Sequence, residues 1–458
     1  MNNIIKSAIL ALAILSFAAL RAAATDAESF GFVAGGDPME NARALQKAVD
    51  CGGEIRVSKA GVYDLGATVL IGDNTSLVFA EGVVIRKNAK HGMFNYVFLN
   101  KGARQRQYNK NISITGLNLS VNKVDYLDTS DILGLVGQVS FFYVKNLKIR
   151  DLRCADLCAM QFCIQVCTFE DLDISGAEIK GHKDGIHLGR GTRFRISDCT
   201  FATGDDAIAL NAHDYDISNP EMGWIENGVI ENIFDLEPSD LLIGYDGKPI
   251  YGYFCRIISG TWTDWKRGMQ IQKSDTVVSG GKMYRAQMEP DGKVFVSQTP
   301  PTHSDGVRVL DGIKWRMTQT DVEYNAGVRN ITFRNIFLRK VRSASFSVHA
   351  DMDVWSRSFY PDGKFTMQEN LVFDNIRVLH DKPKPFLLVR VPVNRINVSN
   401  SFFKNNNIVI VDHKQIDNTS PTVVNVLNTS FEPTQKMDFI QNNVAGKRIE
   451  FNAFPALK

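Results

Sequence analysis

Beyond its first 24 residues the chain has no apolar run long enough to cross a bilayer, which excludes a later membrane-spanning helix. It has no excess of charge. Lys+Arg number 52 and Asp+Glu 50, a formal net charge of +2, so nothing calls for nucleic acid or an anionic membrane surface as partner. It has no Cys-x-x-Cys pairs at matching spacing and no His cluster at zinc-ligand spacing, so no structural metal is expected and no cofactor is called for. It is also poor in helix signals. Asp37–Val49 is the one convincing amphipathic stretch, with Asp37 as N-cap, Pro38 in the first turn, and Ala42, Leu45 and Val49 on one stripe.

The residues before this helix read as a processing signal. Lys6 supplies a basic start, Ile9–Leu20 a short apolar core, and Ala22-Ala23-Ala24 a small-residue cleavage site. Residues 1–24 are therefore expected to be a signal peptide, and the mature protein to be exported, periplasmic or secreted. Such compartments are oxidising. Five of the seven Cys nevertheless fall in apolar lines between Cys154 and Cys199, where small core residues are expected rather than disulfides.

After the helix the chain becomes a series of short strands. Gly52-Gly53-Glu54-Ile55-Arg56-Val57 opens it. The same phrase of alternating apolar residues and a polar break then recurs, as in Ile112–Leu117, Leu147–Leu152, Ile331–Ile336 and Leu371–Ile376. The Asn residues between strands suit tight, left-handed turns. One pair of lines is in phase: Gly181-His182-Lys183-Asp184-Gly185-Ile186-His187-Leu188 and Thr203-Gly204-Asp205-Asp206-Ala207-Ile208-Ala209-Leu210. Asp184 matches Asp206, Ile186 matches Ile208 and Leu188 matches Leu210, each at an offset of 22. A period in the twenties is the mark of a solenoid coil. Stacked coils place equivalent positions about 4.8 Å apart. Asp184, Asp205 and Asp206 should then share one face, a cost in like-charge repulsion that points to use.

These features predict an all-β, right-handed parallel β-helix (solenoid), with an N-terminal capping helix over its first end. The first part of the solenoid runs over 25–273 and the second over 319–458. Between them, 274–318 departs from the period and is richer in Gly and Pro; it reads as a small inserted β module, with Tyr284, Phe295 and Trp315 as a minimal core.

The coil pattern, the opening Gly52-Gly53 and the Asp constellation resemble the pectin lyase-like group of parallel β-helices, and within it the polygalacturonase family, the family-28 glycoside hydrolases. That family carries an Asn-Thr-Asp-Gly line, an Asp-Asp pair one coil later, then Gly-His-Gly and Arg-Ile-Lys lines. Here His182-Lys183-Asp184-Gly185 stands in the first line and Gly204-Asp205-Asp206-Ala207 in the second. The resemblance implies an inverting hydrolase of a polysaccharide or oligosaccharide, pectin-like or related. Asp205 would be the general acid, with Asp184 and Asp206 activating water. Like-charge repulsion would help keep Asp205 protonated, and inversion implies carboxyls roughly 6.5–9.5 Å apart.

No Gly-His-Gly line is evident, and His213 is the nearest candidate for a His at the site. Gln270 and Gln272 stand in one candidate for the Arg-Ile-Lys line, and Arg256 in another. His187 alternates with inward Ile186 and Leu188 and should point outward as a substrate ligand. Two other functions fit the same fold. One is a polysaccharide lyase using calcium and a basic residue to abstract a proton beside a uronate carboxylate. The other is a non-catalytic glycan-binding β-helix.

Overall fold

The computed structural model describes residues 24–454, except 129, 132, 216–217, 239–246, 248–251, 288–291, 352–356, 359–362, 364–366, 413–415 and 417–418. The expected signal peptide at 1–24 therefore lies outside the described residues, except for its last residue. No helix among the described residues is long and apolar enough to cross a membrane.

One helix, Pro38–Asp50, closes the first end. Asp37 caps it by accepting from the Met39 N–H at 2.9 Å, and Ala42, Leu45, Ala48 and Val49 are its buried face. Apart from a 3-10 turn at Ala27–Phe30, the other regular elements among the described residues are strands. Thirty strands join in one large sheet whose pairings are parallel, the parallel β-helix that the repeat implied. Its logic is visible in one inward ladder. Ile55, Leu77, Ile114, Ile149, Ile174, Ile196, Ile230, Phe333, Phe373, Val398 and Val426 sit in register on successive coils. All are buried. Phe333 and Phe373 stack with ring centroids 5.2 Å apart. Identical apolar positions thus bury one another, each coil completing the core of the next.

The corners are held by asparagine. Asn74, Asn111 and Asn146 have φ of 53°, 56° and 54°, and each later amide donates to the preceding Asn Oδ1 at 2.8 Å. Asn232, Asn335 and Asn375 repeat the arrangement at 2.9 Å. Asn tolerates this left-handed turn and carries its own donor and acceptor, so the turn and the axial bond come from one residue.

The register skips a stretch of chain. Ile225–Asp235 pairs directly with Val328–Leu338. Between these strands lies a separate five-stranded sheet built from Thr263–Asp264, Thr276–Ser279, Lys282–Ala286, Val307–Leu310 and Ile313–Gln319. Its strands thus begin before 274 and end after 318. Tyr284 and Trp315 are fully buried in its core and Phe295 packs against it. A second cluster joins this sheet to the solenoid through Ala212, Met222, Trp262, Val278, Met283 and Ala326. Cys154, Cys163, Cys167, Cys199 and Cys255 are buried as free thiols, Cys158 is half-buried, and Cys51 is exposed.

Lys87 is a buried amine with no carboxylate paired to it among the described residues. It is fully buried and donates to Asn95 O at 3.0 Å, Gln138 Oε1 at 3.0 Å and Gln161 Oε1 at 2.8 Å. Burial pushes its ammonium down to about 7. Between there and the ordinary lysine range the unfolded chain binds the extra proton, so this group makes stability rise with pH across that window. Lys87→Met should remove that rise. The check is the difference in urea midpoint between the variant and the parent at pH 7 and at pH 9.5, which should change in the parent's favour at the higher pH.

Candidate active site

Three consecutive coils build the site. Ile164↔Ile186↔Ile208↔Cys255 and Gln165↔His187↔Ala209↔Arg256 are successive parallel partners. The residues just before each strand are therefore stacked as well: Asp184 before Ile186–Leu188, Asp205 and Asp206 before Ile208–Asn211, and Gly252-Tyr253 before Cys255–Ile258. The Ala207 N–H donates to Tyr253 O at 3.1 Å and the Gly185 N–H to Asp206 O at 2.9 Å, which locks these turns together. Gly252 is required by close approach. A Cβ there would lie 2.3 Å from the carbonyl carbon of Asp205.

Asp184, Asp205 and Asp206 converge as expected, with one carboxylate oxygen from each within 4.8 Å of the others. They do not open equally to solvent. The side chains of Asp184 and Asp206 are 4% and 2% exposed and that of Asp205 23%. Oxygens this close share a proton rather than all ionise.

The distribution of that proton differs from the sequence expectation. Lys183 Nζ binds Asp205 Oδ2 directly. Burial alone would raise the Asp205 carboxyl, but Lys183, then Arg256 and Arg342, hold it below the usual range. Asp206 is pushed well above that range by burial and by the charges of Asp205 and Asp184. Asp184 is raised by burial and by Asp205, against the pull of His187 and Lys183. A proton on the cluster is therefore favoured on the buried members over Asp205. Asp206 Oδ1 accepts the Tyr253 N–H at 2.6 Å, whereas its Oδ2 is buried without a hydrogen-bond partner among the described residues.

The candidate ligands separate into two groups. His187 touches the site but is not an outward ligand: it is buried, stacked on Phe162 with centroids 4.2 Å apart, and its Nδ1 lies 3.0 Å from Asp184 Oδ2. It orients Asp184. Arg256 does reach the cluster, with Nη1 3.8 Å from Asp206 Oδ2 and Nη2 3.1 Å from Asp351 Oδ1. His349 lies beside this pair, 3.3 Å from Asp351, with Ser347 Oγ 2.9 Å from its Nδ1.

His213 is not at the carboxylates. It is buried where solenoid and insertion meet, near Ser358 Oγ at 3.1 Å and Thr276 Oγ1 at 3.4 Å, and beside Trp262. Burial and Arg285 hold it well below the ordinary His range, so it stays neutral there. Gln270 and Gln272 belong to the inserted region. Gln270 lies on a strand paired antiparallel with Phe295–Ser297, and the Gln272 N–H is held by Asp275 Oδ2 at 2.8 Å.

Several residues at the site were not singled out from sequence. Lys183 had a signal, because it shares with Asp205 the offset of 22 that relates Asp184 to Asp206. Tyr253 stands in register where the resemblance places the His of Gly-His-Gly, the line reading Gly252-Tyr253-Phe254. Arg342 and Lys340 had none, because the insertion hides their coil spacing. Arg342 is buried, clasps Asp235 at 2.8 and 2.9 Å, and donates to Asp205 O at 3.0 Å. Lys340 donates to Gly204 O at 3.0 Å and also binds Thr203 O. The turn carrying the Asp pair is thus held by two cations reaching back from two coils further on.

Comparison with known proteins meets this geometry at the same coils. Residues 137–224 match the model of glycosyl hydrolases family 28. A polygalacturonase of Nicotiana tabacum is 26% identical over 141 residues, 30% of this chain; the match spans 34% of that protein's length. Among solved structures, PfbA, a surface adhesin of Streptococcus pneumoniae, aligns with a TM-score of 0.51 at 15% identity over 93% of both chains. A hyperthermoactive exopolygalacturonase of Thermotoga maritima aligns with a TM-score of 0.44 at 12% identity over 94% of this chain and 92% of its own. The chain is a parallel β-helix that resembles the family-28 glycoside hydrolases, and that resemblance covers the coils carrying Asp184, Asp205 and Asp206.

Proposed function

We propose that the protein is an exported glycoside hydrolase acting on a pectin-like or related polysaccharide or oligosaccharide. The observation that carries this reading is the convergence of Asp184, Asp205 and Asp206 within 4.8 Å, at the coils the family model matches. Hydrolysis needs one carboxylic acid to protonate the leaving oxygen and one carboxylate to activate water. Asp205, the most exposed of the three, would meet the glycosidic oxygen after taking the proton favoured on Asp206. Asp206, freed of that proton and held by the Tyr253 N–H, would then deprotonate the water that it and Asp184 hold, with His187 fixing Asp184. Arg256 and Lys183 supply cations for an acidic sugar.

The lyase reading is weaker on one specific ground. A lysine that abstracts a proton must be neutral, and Lys183 is held cationic by Asp205 and Asp184, which more than offset its burial. The test is a screen of plant and microbial polysaccharides, following reducing-sugar release together with absorbance of the unsaturated uronate. Release without the absorbance is expected. Absorbance would replace hydrolysis with elimination, and binding without either product would replace the enzyme with a glycan-binding β-helix.

A further inference from the structure

Lys183 and Asp205 are the partly open members of the carboxylate cluster, with side chains 21% and 23% exposed. Arg256 beside them is 25% exposed, so an incoming sugar would meet this ion pair and Arg256 together. While Lys183 holds Asp205 Oδ2, that oxygen cannot carry the proton that the leaving group requires. Asp206 has a carboxylate oxygen within 4.8 Å of one of Asp205, and its Oδ2 is buried without a hydrogen-bond partner among the described residues, 3.8 Å from Arg256 Nη1.

We propose that Lys183 is a latch on Asp205, opened by a carboxylate on the sugar, so that Lys183 selects acidic over neutral substrates. This rests on the hydrolase reading above. The carboxylate of the substrate pairs with Lys183 Nζ and frees Asp205 Oδ2. Asp205 takes the proton from Asp206 Oδ2 and passes it to the glycosidic oxygen as the bond from that oxygen to C1 breaks, the electron pair leaving with the oxygen. Water oxygen bonds to C1 and its proton goes to Asp206. The cluster ends with the protons it began with, and one water has been added across the bond. The groups facing Asp205 are Lys183, Asp184, Asp206, Arg256 and Arg342. Lys183 grips its carboxylate directly, whereas Arg342 binds its carbonyl.

The test compares polygalacturonate with its fully methyl-esterified form, using the parent and Lys183→Met. The parent should cut the free acid with kcat/KM at least about tenfold above the ester, the factor equivalent to one pKa unit at the acid. In Lys183→Met that ratio should fall towards unity, through a gain in kcat on the ester. A ratio unchanged by the substitution, or a parent that cuts the ester as fast as the acid, overturns the latch. A second reading uses the parent alone. Carbon-13 NMR should show the Asp205 titration midpoint rising when a galacturonate oligomer is added and not when its methyl ester is added. An unmoved midpoint overturns the latch even if Lys183→Met does not fold. If the NMR shift occurs and neither polymer is cut, the hydrolase reading fails and the latch stands as a binding device.

Discussion

Asp205→Asn is expected to lower glycoside hydrolysis about 10²–10⁴-fold, the usual worth of a positioned general acid. The isosteric amide keeps the shape of the side chain but has no proton to deliver. The accompanying stability change is a sharper test, because the site is not simply an acidic cluster. If it were, removing one carboxylate would relieve repulsion and raise the melting temperature. Here Asp205 is the partner of Lys183, and its loss leaves a largely enclosed ammonium facing an amide. We therefore expect Asp205→Asn to melt lower than the parent, by roughly 1 kcal/mol, since the pair is partly open to water. Asp206→Asn should do the reverse, because that group already holds its proton at the expense of its neighbours. A higher melting point for Asp205→Asn would mean that Lys183 does not pair with it in solution. Melting that depends on added calcium or chelator would point instead to a bound cation.

The second large effect is expected away from the reacting groups. Arg342→Met should destabilise the protein by about 3–5 kcal/mol, the cost of leaving one member of a buried pair without its partner. Arg342 and Asp235 have side chains 1% and 0% exposed and share two hydrogen bonds, so no water stands ready to replace the guanidinium. The same arginine donates to Asp205 O, so the loosened turn should also lose activity beyond what stability accounts for. Arg342→Met combined with Asp235→Leu separates these effects. The double variant removes the stranded charge and should recover much of the stability, while activity stays low. Urea unfolding and initial rates on the same preparations give both readings.

These residues also show where sequence legibility stopped. The repeat phrase and the offset between Asp184 and Asp206 were enough to read the solenoid, its closing helix and the carboxylate triad, because stacking turns a sequence period into spatial register. The same arithmetic brings Lys183 to Asp205. It was missed because a cation there departs from the resemblance rather than extending it. His187 was misread because alternation along a strand gives direction and not cover: Phe162 lies over the outward face. His213, Gln270 and Gln272 were misplaced by the insertion, which breaks the period and so removes the ruler. Asp235 meets Arg342 across that interruption, at a separation of 107 residues, which no local spacing predicts.

The coil ladder makes the two ends of the molecule unequal. At the first end the Pro38–Asp50 helix packs against the opening strands, so fraying there must first strip off a whole element. At the other, among the described residues, Ile449–Phe454 pairs on one side only, with Thr422–Leu427, and leaves Phe451 and Phe454 45% and 67% exposed. In a stack whose units touch only their neighbours, loss of order travels as a front from the weaker end. That front runs from the last coil towards the first, and it must pass the Asn-pinned corners and the coils joined to the insertion before it reaches Asp205. The reacting groups thus sit on the sheltered side of the zipper, where partial opening of the tail leaves them assembled.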